Sequence, residues 1–186
     1  MATSARERLL TAATELFYEE GVHTVGIDRV IERAGVAKAT LYNTYGSKDG
    51  LIRAYLADRH ESRRVRITAK VEQQQDPRER LLAVFDSQHD SITAPDYHGC
   101  AFVNASAEAS PDSSIQEATA EYRDWIRGLF TDLARAAGAA DPEQLARRLG
   151  LLYDGASISA RMDHDLTAAE LARSTAATLL DAAVAR

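Results

Sequence analysis

Residues 33–48 contain several side chains that can form hydrogen bonds with phosphate groups or with the edges of nucleic-acid bases. This segment holds three basic groups and no acidic one. Thr40 and Tyr42 carry hydroxyl groups that reach phosphates or bases, and Asn43 has an amide that pairs with the edge of adenine through two hydrogen bonds. Ala39 is small enough to touch the methyl group of thymine. Together these residues predict a local contact with double-stranded DNA, with an ordinary helical hairpin and a solvated basic face as the alternative.

Two short amphipathic helices must position these side chains. Apolar residues recur at helical spacing over residues 27–34, and the pattern stops at Gly35. A second helix is predicted over residues 38–45, with Leu41 and Tyr45 facing inward. A glycine between two such helices is typical of a helix-turn-helix, in which the second helix enters the major groove and the first braces it.

The remaining sequence is also predicted to be helical. Ser4 with Glu7 forms a capping box, and Asp141 followed by Pro142 is a favoured helix start. A long helix is expected from about Lys48 to Val71, with several arginines directed outward. No strand-like alternation or long repeat stands out. We therefore expect an all-α protein of about nine helices, with a three-helix head and a larger helical body.

Composition and charge limit the partners. The 186 residues are 45% hydrophobic and 27% charged, and the net charge of −6 divides into −1, +3 and −8 for residues 1–50, 51–80 and 81–186. An acidic protein is a poor non-specific binder of polyanions, so contact with DNA must come from a local patch. No apolar run approaches the ~20 residues of a membrane span. We expect no membrane partner and a cytoplasmic location, which a single cysteine, Cys100, also fits.

Glycine, hydrophobic, hydroxyl and lysine positions follow a specific order over residues 16–21, 24–31, 34–42 and 45–49. In this order the sequence resembles the DNA-binding head of the TetR family of repressors, over roughly the first 55 residues. Residues 99–104 are similar to a segment of some members. The resemblance implies a nine-helix, two-fold dimer. Residues 1–48 would be the helix-turn-helix DNA-binding domain, and residues 49–186 the effector-binding and dimerisation domain.

The resemblance also implies which residues face DNA. They are Thr24, Gly26, Lys38, Ala39, Thr40, Tyr42, Asn43, Thr44 and Lys48. Lys48, at the start of the fourth helix, would hold a phosphate. Two positions depart from the family pattern: Gly26 stands where Ser or Thr is frequent, and Thr44 replaces a frequent histidine.

The body contains aromatic and polar side chains on several predicted helices, and this mixture is typical of a pocket for an apolar or aromatic ligand. The candidates are Phe85, His89, Phe102, Asn104, Tyr122, Trp125, Ile126 and Tyr153. Such residues also form ordinary cores, which is the alternative.

Small residues along the last two helices predict a dimer interface, because they allow helices to approach closely. The interface candidates are Leu149, Leu152, Gly155, Ala156, Ser159, Leu171, Thr175 and Leu179. Packing within one chain is the alternative.

Other kinds of site have little support. Asp96, His98 and Cys100 alternate as metal ligands could, but a metal site needs three or four convergent ligands, so we expect no metal and no cofactor. We expect Cys100 to be a buried, unreactive thiol rather than a redox sensor. No phosphate loop, nucleophile elbow or paired-carboxylate motif appears, so we expect no catalytic residue and no enzyme.

The sequence therefore predicts a ligand-responsive transcriptional regulator. We expect a homodimeric repressor that binds a palindromic operator and is released by a small apolar or aromatic effector. Two alternatives stay open: a ligand that promotes DNA binding, and a helical carrier or adaptor that merely retains the head.

Overall fold

The computed structural model describes residues 4–109 and 113–184, and within them it contains nine α-helices and no strand. The helices are α1 Ala5–Glu20, α2 Ile27–Ala34, α3 Lys38–Tyr45, α4 Lys48–Glu72, α5 Pro77–Ile92, α6 Ala101–Glu108, α7 Ser114–Ala136, α8 Pro142–Met162 and α9 Ala168–Val184. The predicted all-α class is confirmed. Over the described ranges, no helix combines the length and the apolar character that a bilayer crossing requires.

Local capping starts two of these helices where the sequence predicts. The Ser4 hydroxyl accepts a hydrogen bond from the backbone N–H of Glu7 at 3.2 Å, and the Glu7 carboxylate accepts one from the N–H of Ser4 at 2.8 Å. The Asp141 carboxylate accepts from the N–H of Gln144 at 3.0 Å, with Pro142 as the first helical residue. Side chains thus satisfy N–H groups that the first helical turn leaves without an internal partner.

The described residues group into two compact units. The first combines Met1–Glu61 with Ala101–Glu121. In it α1, α2 and α3 pack against one another around side chains that are fully shielded from solvent. These include Leu9, Ala13, Val25, Val30 and Leu41. The ring of Phe17 on α1 meets the ring of Tyr55, in the first part of α4, edge to face with centroids 5.7 Å apart.

The second unit combines Ser62–Cys100 with Tyr122–Arg186. Helices α5, α8 and α9 pack together in it. Its core contains a cluster of three rings, in which Phe85, Phe130 and Tyr153 have centroids 5.7 to 6.1 Å apart. At the surface, the Arg173 guanidinium pairs with Glu79 at 2.9 Å and with Asp86 at 2.8 Å, and so joins α9 to α5.

The boundary between the two units lies within α4, between Glu61 and Ser62. The sequence places a functional boundary earlier, after residue 48. Helix α4 itself continues without a break to Glu72. The division into a DNA-binding domain over residues 1–48 and an effector domain over 49–186 stays a prediction about function.

Candidate nucleic-acid interface

The turn between α2 and α3 has the geometry that its glycine predicts. Gly35 has a φ of +62°, in the left-handed region that side chains with a Cβ rarely adopt. Its N–H bonds to the carbonyl of Glu32, and the N–H of Val36 bonds to the carbonyl of Ile31. These bonds end α2 and redirect the chain so that α3 begins three residues later, at Lys38.

Helix α3 has one buried side and one exposed side. Leu41 is fully buried and anchors the helix in the head, as the sequence predicts. On the other side Lys38, Ala39 and Asn43 are exposed, and Tyr42 has 44% of its surface exposed. An exposed tyrosine of this size beside an amide and a small residue forms a surface suited to hydrogen bonding with nucleic acid.

Two threonines of α3 lie at the edge of this surface. Thr40 and Thr44 are partly buried, and the Thr44 hydroxyl donates to the carbonyl of Thr40 at 2.6 Å. In this arrangement Thr44 offers only its oxygen as an acceptor. Upstream, Thr24 and Gly26 are exposed, and Gly26 precedes α2 without a side-chain cap.

Two of the basic groups in residues 33–48 form ion pairs with acids from other parts of the chain. The Lys38 ammonium lies 2.9 Å from the carboxylate of Asp28, and Arg33 pairs with Glu15 at 2.9 Å. The hydrogen bond to Asp28 raises the pKa of Lys38. The segment itself carries three bases and no acid, but α1 and α2 bring a carboxylate to two of those bases.

The end of α3 and the start of α4 fit closely. Gly46 has a φ of +75°, and the Ser47 hydroxyl accepts from the N–H of Gly50 at 3.0 Å. A Cβ built on Gly50 would lie 2.0 Å from the backbone oxygen of Tyr45, so no larger residue fits without a shift of the backbone. The Lys48 ammonium donates to the carbonyl of His23 at 3.4 Å. Gly50 was not among the residues predicted from the sequence, although a glycine in the first turn of a long helix is a recognisable sign of close approach.

Tyr45 braces α3 against the first helix. Its hydroxyl donates to the carbonyl of Arg6 at 3.0 Å, and the Arg6 guanidinium lies 5.4 Å from the centre of its ring. Burial raises the pKa of Tyr45, which keeps the phenol neutral and able to donate. The predicted inward orientation holds for Leu41 completely and for Tyr45 in part, since Tyr45 is half-buried.

The effector candidates are divided between the two units. Phe102 and Asn104 belong to the first, where the Phe102 ring meets His60 edge to face at 6.4 Å. In the second unit, Phe85 packs against Tyr153, and the rings of Tyr122 and Trp125 lie 6.3 Å apart. The residues brought together within that unit are Phe85, Tyr122, Trp125, Ile126 and Tyr153.

Ile126 and Tyr153 line a groove of about 240 Å³ on the second unit. Arg123, which also lines it, pairs with Asp154 at 2.7 Å. His89 lies elsewhere in the unit, with its Nδ1 atom 3.7 Å from the Glu170 carboxylate of α9.

Arg63 of α4 was not among the site residues predicted from the sequence. Its Nη1 atom donates to the hydroxyl of Tyr122 at 2.7 Å and contacts the sulfur of Cys100 at 3.5 Å. Several arginines of this helix are exposed, as the sequence predicts, whereas Arg63 is partly buried against its two partners. Cys100 is buried, as its apolar neighbours predict. Across the described ranges, no three His, Cys, Asp or Glu side chains form a group that could hold a metal.

The dimer candidates differ in accessibility. Leu149 and Ala156 are buried within their own chain, whereas Gly155 and Leu171 are exposed. The other four, Leu152, Ser159, Thr175 and Leu179, are partly buried.

The exposed side of α8 carries apolar residues that were not among the predicted interface residues. Leu151, Ile158 and Met162 are 73%, 42% and 74% exposed, and with Gly155 they recur at the spacing of one helical face. An apolar stripe of this kind on an exposed helix is typical of a protein interface.

Comparison with known proteins gives consistent matches. A family model described as bacterial regulatory proteins, tetR family, matches residues 9–55. A crystal structure of a TetR-family transcriptional regulator from Streptomyces coelicolor is 36% identical, with a TM-score of 0.84 over 97% of this chain and 94% of that chain.

Two curated relatives differ in how much of their length is matched. The HTH-type transcriptional repressor ComR of Escherichia coli K12 is 30% identical over 170 residues, which cover 84% of this chain and 79% of ComR. The HTH-type transcriptional activator FasR of Mycolicibacterium smegmatis is 38% identical over 88 residues, which cover 47% of this chain. The matched region spans only 40% of the length of FasR.

Proposed function

Because this chain belongs to the TetR family of bacterial transcriptional regulators, we propose that it represses transcription as a homodimer bound to a palindromic operator. A small effector then releases it from DNA. The observation that supports this proposal most directly is helix α3, which is anchored by buried Leu41 and exposes Lys38, Tyr42 and Asn43 on its other side. Residues 1–48 would bind DNA, and residues 49–186 would bind the effector and the second copy. The site of action is the cytoplasm, where a bacterial operator lies.

Two copies are needed because one recognition helix reads only a few base pairs. In a helix-turn-helix dimer the two half-sites lie about one turn of DNA apart, ~34 to 36 Å. Selection of bound duplexes from a random pool should therefore enrich a palindrome with this spacing. If no palindrome is enriched, the proposal fails.

Variants of α3 and α4 separate positioning contacts from base contacts. Tyr42→Ala and Lys48→Ala should weaken binding to all duplexes. Lys48→Ala should also reduce the slope of log affinity against log salt, by about 0.9 for each phosphate that the protein no longer neutralises. Lys70→Ala is the matched control, because Lys70 pairs with Asp90 in the second unit.

Asn43→Ala should instead relax the sequence preference at one position. Fluorescence anisotropy at several salt concentrations measures both effects, and equal behaviour of Lys48→Ala and Lys70→Ala would argue against the DNA contact.

A carrier or adaptor that retains the head is the rival function. If residues 33–48 formed an interface with another protein instead of with phosphates, affinity for that partner would depend little on ionic strength. A chain that selects no palindrome and shows a flat salt response would support the adaptor.

The proposed release by effector uses α4, which continues as one helix from Lys48 to Glu72. A ligand that binds one orientation of this helix better than another would change the spacing of the two heads. A coupling free energy of typical size, about 1 to 3 kcal/mol, corresponds to a change of about 5- to 150-fold in DNA affinity. Ligands found by thermal stabilisation should therefore change operator affinity. A tight ligand that leaves operator affinity unchanged would contradict this route.

The sign of regulation needs its own test, since ComR is named a repressor and FasR an activator. We propose repression. A reporter gene placed behind the selected palindrome should be silenced when the protein is expressed, and increased expression would reverse the assignment.

A further inference from the structure

Arg63 is a cation whose hydrogen-bond partners in the described residues are a phenol and a thiol. Its Nη1 atom donates to the Tyr122 hydroxyl at 2.7 Å and contacts the Cys100 sulfur at 3.5 Å, and its guanidinium lies 5.2 Å from the centre of the Tyr122 ring. Within the part of the chain that the structure describes, no carboxylate lies within 4.0 Å of Arg63 and no hydrogen bond joins its Nε or Nη2 atom to another residue. All of these groups belong to the second unit.

The phenol of Tyr122 does not supply a compensating negative charge. Burial raises the pKa of Tyr122 well above its usual value, so its phenol is neutral at physiological pH. Burial acts to lower the pKa of Arg63, but Tyr122 and Cys100 beside it raise that pKa, and the net shift is upward. The guanidinium is therefore charged. Arg63 is only partly buried, so a dissolved ligand can reach it, and an arginine that is partly withdrawn from water is normally paired with an acid.

We propose that Arg63 binds the carboxylate of an anionic effector, through the Nε and Nη2 donors that lie on one edge of its guanidinium. This inference rests on the proposed function, because it names the chemical class of the effector. Two parallel N–H groups match the two oxygens of a carboxylate, which gives the short, charge-assisted pair that arginine favours. The Nη1 bond to Tyr122 holds the fork in a fixed plane.

A single carboxylate fits the site better than a phosphate does. One guanidinium balances one negative charge, and Arg123, on the same helix as Tyr122, already pairs with Asp154 at 2.7 Å. The Tyr122 ring lies beside Trp125, and the side chain of Tyr153 hydrogen-bonds to Tyr122. These rings suit an apolar or aromatic body attached to the acid.

The first test compares acids with their uncharged analogues on the full chain. The probes are phenylacetate, 4-phenylbutanoate and decanoate, each paired with its primary amide, with inorganic phosphate as the anion without an apolar body. At about ten times its dissociation constant, a carboxylate should raise Tm by roughly 3 to 6 °C, whereas its amide and phosphate should not. Equal stabilisation by acid and amide overturns the proposal, as does a panel in which no acid changes Tm.

The second test changes Arg63 itself. Arg63→Met replaces the cation with an apolar side chain of similar length, so the ligand-free protein should be as stable as the wild type or more stable by about 2 to 4 °C. The carboxylate response should disappear in Arg63→Met and weaken at least about tenfold in affinity in Arg63→Lys, which keeps the charge but lacks the fork. Arg64→Met removes the exposed neighbouring arginine and is the control that should respond like the wild type. A large fall in Tm for ligand-free Arg63→Met would mean that Arg63 is only structural, and a retained carboxylate response would mean that the acid binds elsewhere.

Failure of this inference can be distinguished from failure of the proposed function. Enrichment of a palindrome by the ligand-free wild type decides whether the chain is an operator-binding regulator. If carboxylates bind at Arg63 but no palindrome is enriched, the anion site stands and the regulatory function fails. If a palindrome is enriched and amides release it as well as acids do, the function stands and the carboxylate inference fails.

Discussion

At the scale of single residues, the head contains an ion pair on the surface that we expect to meet DNA. The Lys38 ammonium lies 2.9 Å from Asp28, and both side chains are well exposed. A pair this accessible to water contributes little to folding. Its importance lies in the position of the carboxylate, because a negative charge beside a recognition helix opposes the approach of phosphates.

Neutralising that carboxylate should therefore strengthen DNA binding. We expect Asp28→Asn to raise affinity for duplexes of any sequence by about two- to fivefold, since Lys38 is then available to a phosphate and one repulsion is removed. Fluorescence anisotropy at fixed salt measures the change. Asp124→Asn is the control, because Asp124 is also an exposed acid in an ion pair, with Arg127 on α7. Weaker binding by Asp28→Asn, or an equal gain from Asp124→Asn, would refute this account of the pair.

At the scale of secondary-structure elements, the junction between α3 and α4 depends on the absence of a side chain at residue 50. The backbone oxygen of Tyr45 occupies the space that a Cβ on Gly50 would need. Both atoms belong to the main chain or are fixed to it, so relief requires movement of one helix relative to the other. Lys48 lies two residues before Gly50, and Tyr45 is the last residue of α3.

We expect Gly50→Ala to destabilise the protein by about 1 to 3 kcal/mol through overpacking, and to weaken binding to all operators because α3 is displaced. Gly128→Ala is the matched control. Gly128 also lies inside a helix, but nothing lies within 4 Å of the added Cβ, so alanine should stabilise the protein by up to about 1 kcal/mol. Urea denaturation compares the two variants. If Gly50→Ala and Gly128→Ala have the same free energy of unfolding, the α3–α4 junction accepts the added methyl group without destabilisation.

Structural features that depend on residues close together in the sequence could be predicted from it. The capping box of Ser4 and Glu7, the start of α8 after Asp141, and the burial of Leu41 all follow from residues within one or two turns of each other. The contacts that were missed join distant positions. Arg63 meets partners 37 and 59 residues away, and Arg33 meets an acid 18 residues away.

The candidate site was predictable to the same extent. Helical spacing identifies the exposed side of α3 because Leu41 fixes its buried side. It does not show that Asp28 approaches Lys38, since that pairing depends on how α2 and α3 pack. Nor does it separate Arg63 from Arg64, because two adjacent arginines on a helix differ only in the side to which each points. Packing decides which of them is covered.

At the scale of the whole molecule, α8 and α9 leave apolar surface exposed. Leu151, Ile158 and Met162 share one face of α8, and Leu171 on α9 is 66% exposed. In a two-fold interface each residue meets the same surface on the other copy, so one charge introduced per chain appears twice. Charges without partners are strongly disfavoured at the centre of such an interface.

We therefore expect the double variant Ile158→Glu, Leu171→Glu to be monomeric. Sedimentation velocity measures the oligomeric state. The same variant should lose affinity for the full palindrome while binding an isolated half-site as weakly as the wild type does. Val65→Glu is the control, because Val65 is 54% exposed but lies on α4. A double variant that stays dimeric would place the interface elsewhere.

The position of Cys100 has a practical consequence. It is the single cysteine of the sequence, it is buried, and its sulfur lies 3.5 Å from Arg63. A thiol-reactive dye would therefore mark one atom of the unmodified protein. Because a covered sulfur reacts only when its surroundings open, the labelling rate counts those openings, much as hydrogen exchange does for amides. A molecule bound at Arg63 would make these openings rarer. The labelling rate of the native thiol would therefore report both local unfolding and the fraction of protein with ligand bound.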